Sequence, residues 1–140
     1  MTVKFLKRNI WQRIFGISAT EKPIDENGWV YQSGELIIDL DKVPELTNPG
    51  NAVRFEGSNL PKRVLVLLDE DDQYHAFLNR CTHFGHRRLD YVPGTKTVQC
   101  CSVNKSTYTF GGDKIHGPNP KPVKTFSVEK RSEKLYIRLT

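Results

Sequence analysis

Long apolar runs are absent from this sequence, and cysteine is scarce. No stretch approaches the roughly 18 apolar residues that a membrane-spanning helix requires, and residues 1–22 lack the apolar core and small-residue cleavage site of a secretory signal. The chain has 3 cysteines, an odd number that cannot all pair as intramolecular disulfides. We therefore expect a cytoplasmic protein whose thiols stay reduced and are available as metal ligands.

The composition predicts a single soluble domain with its own core. The chain has 140 residues, 37% hydrophobic and 26% charged, with a net charge of +5. Much of that excess lies in residues 1–22, where the only acidic residue is Glu21. The basic residues of this segment are Lys4, Lys7, Arg8, Arg13 and Lys22. The rest of the chain is nearly balanced, which argues against a nucleic-acid partner, because such proteins carry a basic stripe across the fold.

Residues 3–18 are predicted to form an amphipathic helix, followed by a polar linker up to residue 34. The apolar residues with helical spacing are Val3, Leu6, Ile10, Ile14 and Ile17. Because the helix is short and Gly16 interrupts it, we expect its apolar face to dock on the protein's own domain or on a second copy. The alternative is that the basic helix docks on an acidic partner or on a membrane surface.

Residues 35–140 have the pattern of an all-β domain. Short apolar or alternating segments are separated by turn clusters such as residues 47–51 and 69–73. The predicted strands are 35–40, 52–56, 63–68, 74–78, 95–99, 106–110, 124–128 and 134–139. The segment 63–68 is almost continuously apolar, which is typical of a strand buried on both faces. A series of this kind predicts a β-sandwich or barrel.

One group of residues in this domain indicates a metal site. Cys81-Thr-His83 follows one predicted strand, and Cys100-Cys101 follows another. Two loops that each leave a strand and present a thiolate are able to hold a metal centre between them. Thiolate and imidazole ligands together suit zinc or iron.

The same pattern, with Gly85, Tyr108 and Gly117-Pro118, resembles the Rieske iron–sulfur family and its Rieske-type ferredoxins. In such centres two thiolates bind one iron of a [2Fe–2S] cluster and two imidazoles bind the other. The resemblance implies a Rieske-like β fold over residues 35–140, with a cluster-binding subdomain at about residues 80–120. It matches Cys81, His83 and Cys101 to three ligand positions.

The sequence departs from the family pattern at the second histidine. Asn104 stands there, or Val103 if Cys100 is the aligned cysteine. We predict a [2Fe–2S] cluster bound by Cys81, His83, Cys101 and Cys100. Cys100 has suitable chemistry as the fourth ligand, although consecutive strand residues point to opposite sides. The alternatives for the fourth ligand are His116, Asn104 and His86.

The resemblance implies an electron-transfer component of an oxidoreductase system, with a reductase and an oxygenase or other oxidoreductase as partners. Hydrogen bonds from loop amides and Ser106 would tune such a cluster. Nothing marks a mononuclear-iron site of two histidines and a carboxylate, so the chain is not expected to be an oxygenase by itself. Two alternatives remain: a Rieske-fold docking or structural subunit that has lost its cluster, and a zinc site. The zinc ligands would be Cys81, His83, Cys100 or Cys101, and His116.

Overall fold

The protein, described by a computed structural model over residues 3–57, 59–82, 87–117 and 121–139, is built of β-strands in three four-stranded sheets. All the strand pairs are antiparallel, which confirms the all-β prediction. The strands are β1 (Trp29–Gln32), β2 (Glu35–Asp39), β3 (Ala52–Phe55), β4 (Val64–Leu68), β5 (Tyr74–Leu78), β6 (Leu89–Val92), β7 (Thr97–Cys100), β8 (Thr107–Thr109), β9 (Lys114–His116), β10 (Thr125–Phe126), β11 (Val128–Arg131) and β12 (Lys134–Arg138). A helix, α1 (Ile10–Ile14), and a 3₁₀ turn (Pro44–Thr47) complete these elements. No helix in the described ranges is long and apolar enough to cross a membrane.

Strand β4 separates two hydrophobic cores. The sheets that meet here have the orders β1-β2-β12-β11 and β10-β5-β4-β3. Val64 and Val66 pack into the first core, while Leu65 and Leu67 pack into the second. All of β4 is buried, as the continuous apolar segment 63–68 predicts, because successive side chains point to opposite faces.

The third sheet, β6-β7-β8-β9, carries the two cysteine-bearing loops. The first loop lies between β5 and β6, and the second lies between β7 and β8. Strand β6 contains Asp90, a residue that disfavours strands, which hid it from sequence reasoning. Its carboxylate is buried and accepts hydrogen bonds from residues 18–20, so the tertiary structure compensates for the cost of burying it.

Part of the predicted polar linker is the strand β1. Its residues pair with β2 across the two-residue turn Ser33-Gly34, where both φ angles are positive, at 53° and 81°. Trp29 contacts Phe55 edge-on in the first core, with 6.0 Å between ring centroids. Burial of this tryptophan makes the segment a core strand and not a linker.

The N-terminal helix is shorter than predicted, and its apolar face does not dock on the domain. Asn9 caps α1 in a capping box with Gln12, and Gly16, with φ 63°, ends it. Within residues 3–18 Arg13 alone is fully buried, whereas Phe5 and, in residues 10–17, five large apolar side chains are exposed. The five side chains are Ile10, Trp11, Ile14, Phe15 and Ile17. The hydrophobic periodicity therefore predicted the wrong side of the helix as the buried one. The segment is oriented by the hydrogen bonds of Arg13, which point that side chain into the domain.

Candidate functional site

Backbone hydrogen bonds close the two loops and join them. In the first loop the Cys81 N–H donates to Arg87 O at 2.7 Å, and in the second the Cys100 N–H donates to Ser106 O at 2.7 Å. The Cys101 N–H donates to Arg88 O at 3.1 Å and so ties the second loop to the first. The two segments that the motif singled out therefore lie side by side at one end of the third sheet.

The thiols of Cys81 and Cys100 form a buried pair. Both residues are fully buried in the second core, and their side chains are hydrogen-bonded to each other. The hydrogen bond with Cys81, followed by burial, raises the pKa of Cys100 well above its ordinary value. The Tyr108 hydroxyl lies 3.4 Å from the Cys81 sulfur, and burial together with this contact raises the pKa of Tyr108 to about 12. Cys100 is consequently held as a protonated thiol in the free protein.

Cys101 has different neighbours from Cys100. Its thiol donates a hydrogen bond to Gly16 O at 3.2 Å, on the N-terminal segment, and the residue is 2% exposed. Burial, with a smaller contribution from Asp90, raises the pKa of Cys101. The alternation of side chains at the end of β7 explains the difference, and the structure brings Cys100 to Cys81.

The remaining ligand candidates lie in separate places. The side-chain oxygen of Asn104 accepts a hydrogen bond from the Ser106 N–H at 3.0 Å, and the ring of His116 contacts Phe5 with 4.9 Å between centroids. His83 and His86 lie outside the described residues. Within the described ranges, no three His, Cys, Asp or Glu side chains gather into a metal-binding group.

Ser106 provides a test of whether the site suits an iron–sulfur group. The residue is fully buried, and its hydroxyl has no hydrogen-bond partner within the described part of the chain. Gly117 packs so closely on it that an added Cβ would collide with the hydroxyl oxygen. The Ser106 hydroxyl is therefore able to donate a hydrogen bond to the sulfur atoms of a bound group. The thiolate half of a [2Fe–2S] site fits these residues, whereas the second loop supplies no second imidazole.

The N-terminal segment covers both loops, a feature that the sequence did not predict. The Arg13 guanidinium donates to Ser102 O at 3.2 Å and Cys100 O at 3.4 Å. It also donates to Leu6 O at 2.8 Å and Gln99 Oε1 at 3.1 Å. Burial, with the nearby Arg8 charge, lowers the pKa of Arg13, although an arginine stays charged. The sequence around Arg13 does not indicate this role, because most of its acceptors lie far along the chain.

Arginines of the first loop are also occupied by structural contacts. Arg87 donates to Phe15 O, which fastens the N-terminal segment to this loop as well. Arg88 donates through two nitrogens to Glu56 Oε2, at 3.1 and 2.9 Å. These contacts hold the first loop between the N-terminal segment and the second sheet.

Sequence comparison identifies the family of this site. The model of the Rieske [2Fe-2S] domain matches residues 38–127, a range that contains both loops and most of the β domain. No curated protein matches the sequence.

Solved structures share the fold at low sequence identity. A quaternary ammonium Rieske monooxygenase in complex with an inhibitor is 16% identical with a TM-score of 0.55, and the match covers 91% of this chain but 32% of that chain. The ferredoxin of carbazole 1,9a-dioxygenase from Nocardioides aromaticivorans IC177 is 17% identical with a TM-score of 0.53, covering 66% of this chain and 88% of that chain. A complex of reduced oxygenase and oxidized ferredoxin in carbazole 1,9a-dioxygenase matches with 19% identity and a TM-score of 0.53, covering 66% of this chain and 83% of that chain.

Proposed function

The chain belongs to the Rieske [2Fe–2S] domain family, and from this premise we propose that it is a small cytoplasmic electron-transfer protein with atypical cluster ligation. Family membership implies the [2Fe–2S] cluster as cofactor. When bound, such a cluster supplies a one-electron redox centre whose potential depends on its ligands and on hydrogen bonds to its sulfurs.

The observation that supports this proposal most strongly is the buried contact between Cys81 and Cys100. We assign these thiols to one iron and His83 to the other. Ser106 accepts the Cys100 N–H through its carbonyl, its hydroxyl has no partner among the described residues, and Tyr108 already contacts Cys81. These groups would orient the bound cluster and exclude water from it.

The fourth ligand is the atypical part. We infer against Asn104 and His116, because the side-chain oxygen of Asn104 is bonded to its own loop and the His116 ring packs on Phe5. His86 of the first loop and Cys101 of the second are the remaining candidates. Cys101 would have to give up its hydrogen bond to Gly16 to serve as a ligand.

We propose a redox protein as the partner, such as a reductase or an oxygenase. The complex of an oxygenase with its ferredoxin is an example of that arrangement among proteins with this fold. The basic N-terminal segment, which leaves its apolar side chains exposed beside the loops, is proposed as a docking element separate from the contact with this redox partner.

The decisive experiment is to purify the protein without oxygen and to measure iron, acid-labile sulfide and zinc. We expect two irons and two sulfides per chain, as a [2Fe–2S] cluster requires. The electron paramagnetic resonance spectrum of the dithionite-reduced protein then reports how many nitrogens bind the cluster. One nitrogen indicates Cys101 as fourth ligand, and two indicate His86. A single zinc, or no metal at all, would overturn the electron-transfer proposal.

A further inference from the structure

Five large apolar side chains protrude from one short segment of the N-terminus. We call them the N-terminal apolar patch: Ile10, Trp11, Ile14, Phe15 and Ile17, with exposed fractions of 58%, 65%, 46%, 64% and 50%. Trp11 and Phe15 stack on each other, with 6.5 Å between ring centroids. A contiguous apolar patch exposed on a folded domain marks an interaction site.

The patch is held in this outward orientation by specific bonds. Arg13, on the opposite side of α1, donates to four acceptors. Gly16 O accepts from the Cys101 thiol, and the Asp90 carboxylate accepts hydrogen bonds from Ser18, Ala19 and Thr20. Turning the apolar side chains inward would break these bonds and leave Asp90 and Arg13 without their buried partners. The exposure of the patch is therefore a property of the fold.

The charges of the segment that carries the patch have one sign. Residues 3–20 contain no acidic residue, while Lys4 and Lys7 are exposed and Arg8 is half-buried. Apolar and aromatic side chains beside lysine and arginine are typical of segments that lie in the interface of an anionic membrane. Tryptophan suits that interface because its ring is apolar and its N–H is polar.

We propose that the N-terminal apolar patch docks this protein on the surface of a membrane that contains anionic phospholipid. A protein partner is less well matched, because a stable interface buries about 800 Å² on each side, and the patch is confined to residues 10–17. A bilayer needs no complementary shape, since apolar side chains enter between the lipids and the lysines face the headgroups. Docking here holds the cysteine loops, which contact Gly16 and Phe15, beside the membrane.

Trp11 is a built-in reporter of this docking. The other tryptophan, Trp29, is 8% exposed in the first core, so a change in tryptophan environment on adding vesicles arises at Trp11. The full-length protein is titrated with vesicles of phosphatidylcholine alone and of phosphatidylcholine with phosphatidylserine. We expect a blue shift of the emission and quenching by brominated lipids with the anionic vesicles. No shift, or equal shifts with both vesicles, would overturn the proposal.

Variants separate the apolar and the electrostatic contributions. Ile14→Ala/Phe15→Ala, which keeps the tryptophan, should abolish co-sedimentation with anionic vesicles. Lys4→Gln/Lys7→Gln should weaken binding about thirtyfold, since each basic residue near an anionic surface contributes about fivefold. Ile24→Ala, at a side chain that is 90% exposed outside the patch, should bind like the parent protein. Unchanged binding of the Ile14→Ala/Phe15→Ala variant would contradict the assignment of the patch.

Two controls make the result specific. If polyglutamate shifts the Trp11 emission and anionic vesicles do not, the patch serves an acidic protein partner and the membrane proposal is wrong. The titration is run on protein with and without iron, and we expect the same vesicle binding from both. The outcome is thereby independent of whether the electron-transfer proposal holds.

Discussion

At the scale of single residues, two adjacent cysteines have separate environments. Cys100 contacts Cys81 in the second core, and Cys101 contacts the carbonyl of Gly16. Both thiols are buried and chemically equivalent as ligands. Position alone therefore decides which of them contacts Cys81.

The Cys100→Ser and Cys101→Ser variants form a matched pair. We expect Cys100→Ser to lose nearly all bound iron and sulfide, because a serine hydroxyl is a poor ligand for a soft iron centre. With His86 as the fourth ligand, Cys101→Ser should retain both, since its thiol bonds to Gly16 O of the N-terminal segment. The measurement is iron, sulfide and visible absorption after anaerobic purification. Loss of iron from Cys101→Ser alone would assign the ligand to Cys101 instead.

At the scale of elements, the N-terminal segment depends on one buried charge. Arg13 is 3% exposed and bonds to carbonyl groups of the second cysteine loop. Buried acceptors that lose their donor cost free energy, and a guanidinium is able to satisfy several acceptors in one plane. Arg13 therefore makes two of the hydrogen bonds that join the segment to the second loop, beside the bond from the Cys101 thiol to Gly16 O.

We predict that Arg13→Gln lowers the free energy of unfolding by about 1–3 kcal/mol. Hydrogen exchange should speed up in residues 6–20 and 99–106 before it does so elsewhere. Urea unfolding and mass-spectrometric exchange measure the two effects. Lys7→Gln, an exposed basic residue of the same segment, should change stability by less than about 0.5 kcal/mol. Equal effects of the two variants would show that Arg13 does not anchor the segment.

The β4–β5 hairpin contains another buried charge, on Asp69. Its carboxylate accepts hydrogen bonds from the Asp71 N–H at 2.8 Å and the Gln73 N–H at 2.9 Å, and it lies 2.9 Å from the His75 ring nitrogen. Burial acts to raise the pKa of Asp69, but the bonds from Gln73, His75 and Asp71 outweigh it and lower the pKa below its ordinary value of 3.8. The ionised carboxylate therefore stabilises the folded hairpin.

We predict that this contribution is complete above the unfolded-state pKa and is lost as the pH falls below about 4. A depressed folded-state pKa means that the unfolded chain binds the proton first, so acid favours unfolding. Urea unfolding between pH 7 and pH 3 should show a steeper loss for the parent protein than for Asp69→Asn. Parallel curves for the two proteins would contradict the role of Asp69.

At the scale of the whole molecule, the two hydrophobic cores share the wall formed by β4. Its alternating residues face the first core on one side and the second core, with Cys81 and Cys100, on the other. A defect in the core beside the thiol pair should therefore weaken the other core through the same strand. We expect the domain to unfold as one cooperative unit.

Leu67→Ala, in the second core, is predicted to lower the free energy of unfolding by about 2–5 kcal/mol. Trp29 reports on the first core, and with Trp11→Phe in the background it is the only tryptophan. Its fluorescence and far-ultraviolet circular dichroism should give the same shifted transition. Val30→Ala, at a side chain that is 52% exposed, is the control and should leave that transition nearly in place. Two separate transitions would show that the cores unfold independently.

The local pattern was sufficient for strands whose side chains alternate or are continuously apolar. The predicted ranges of β2, β3, β4, β5, β7, β8 and β12 agree with the structure within a few residues. It missed β9 and gave one strand at 124–128 in place of β10 and β11. It also failed for two buried strands, β1, whose burial depends on Trp29 reaching Phe55, and β6, whose Asp90 is compensated by residues 18–20. For these two strands the deciding partner is distant in sequence, so no periodicity records it.

By itself the sequence determined the family and the all-β architecture, because a spaced pair of cysteine-bearing loops and a strand pattern are local properties. Only the tertiary structure decided which thiol meets Cys81 and which face of the N-terminal segment points outward. The pairing of Leu89 with Cys100 decides which thiol meets Cys81. Three acceptors of Arg13 lie 86 to 89 residues further along the chain, and they decide which face of the segment points outward. A buried charge must be satisfied wherever its acceptors lie, and that requirement overrode the hydrophobic periodicity.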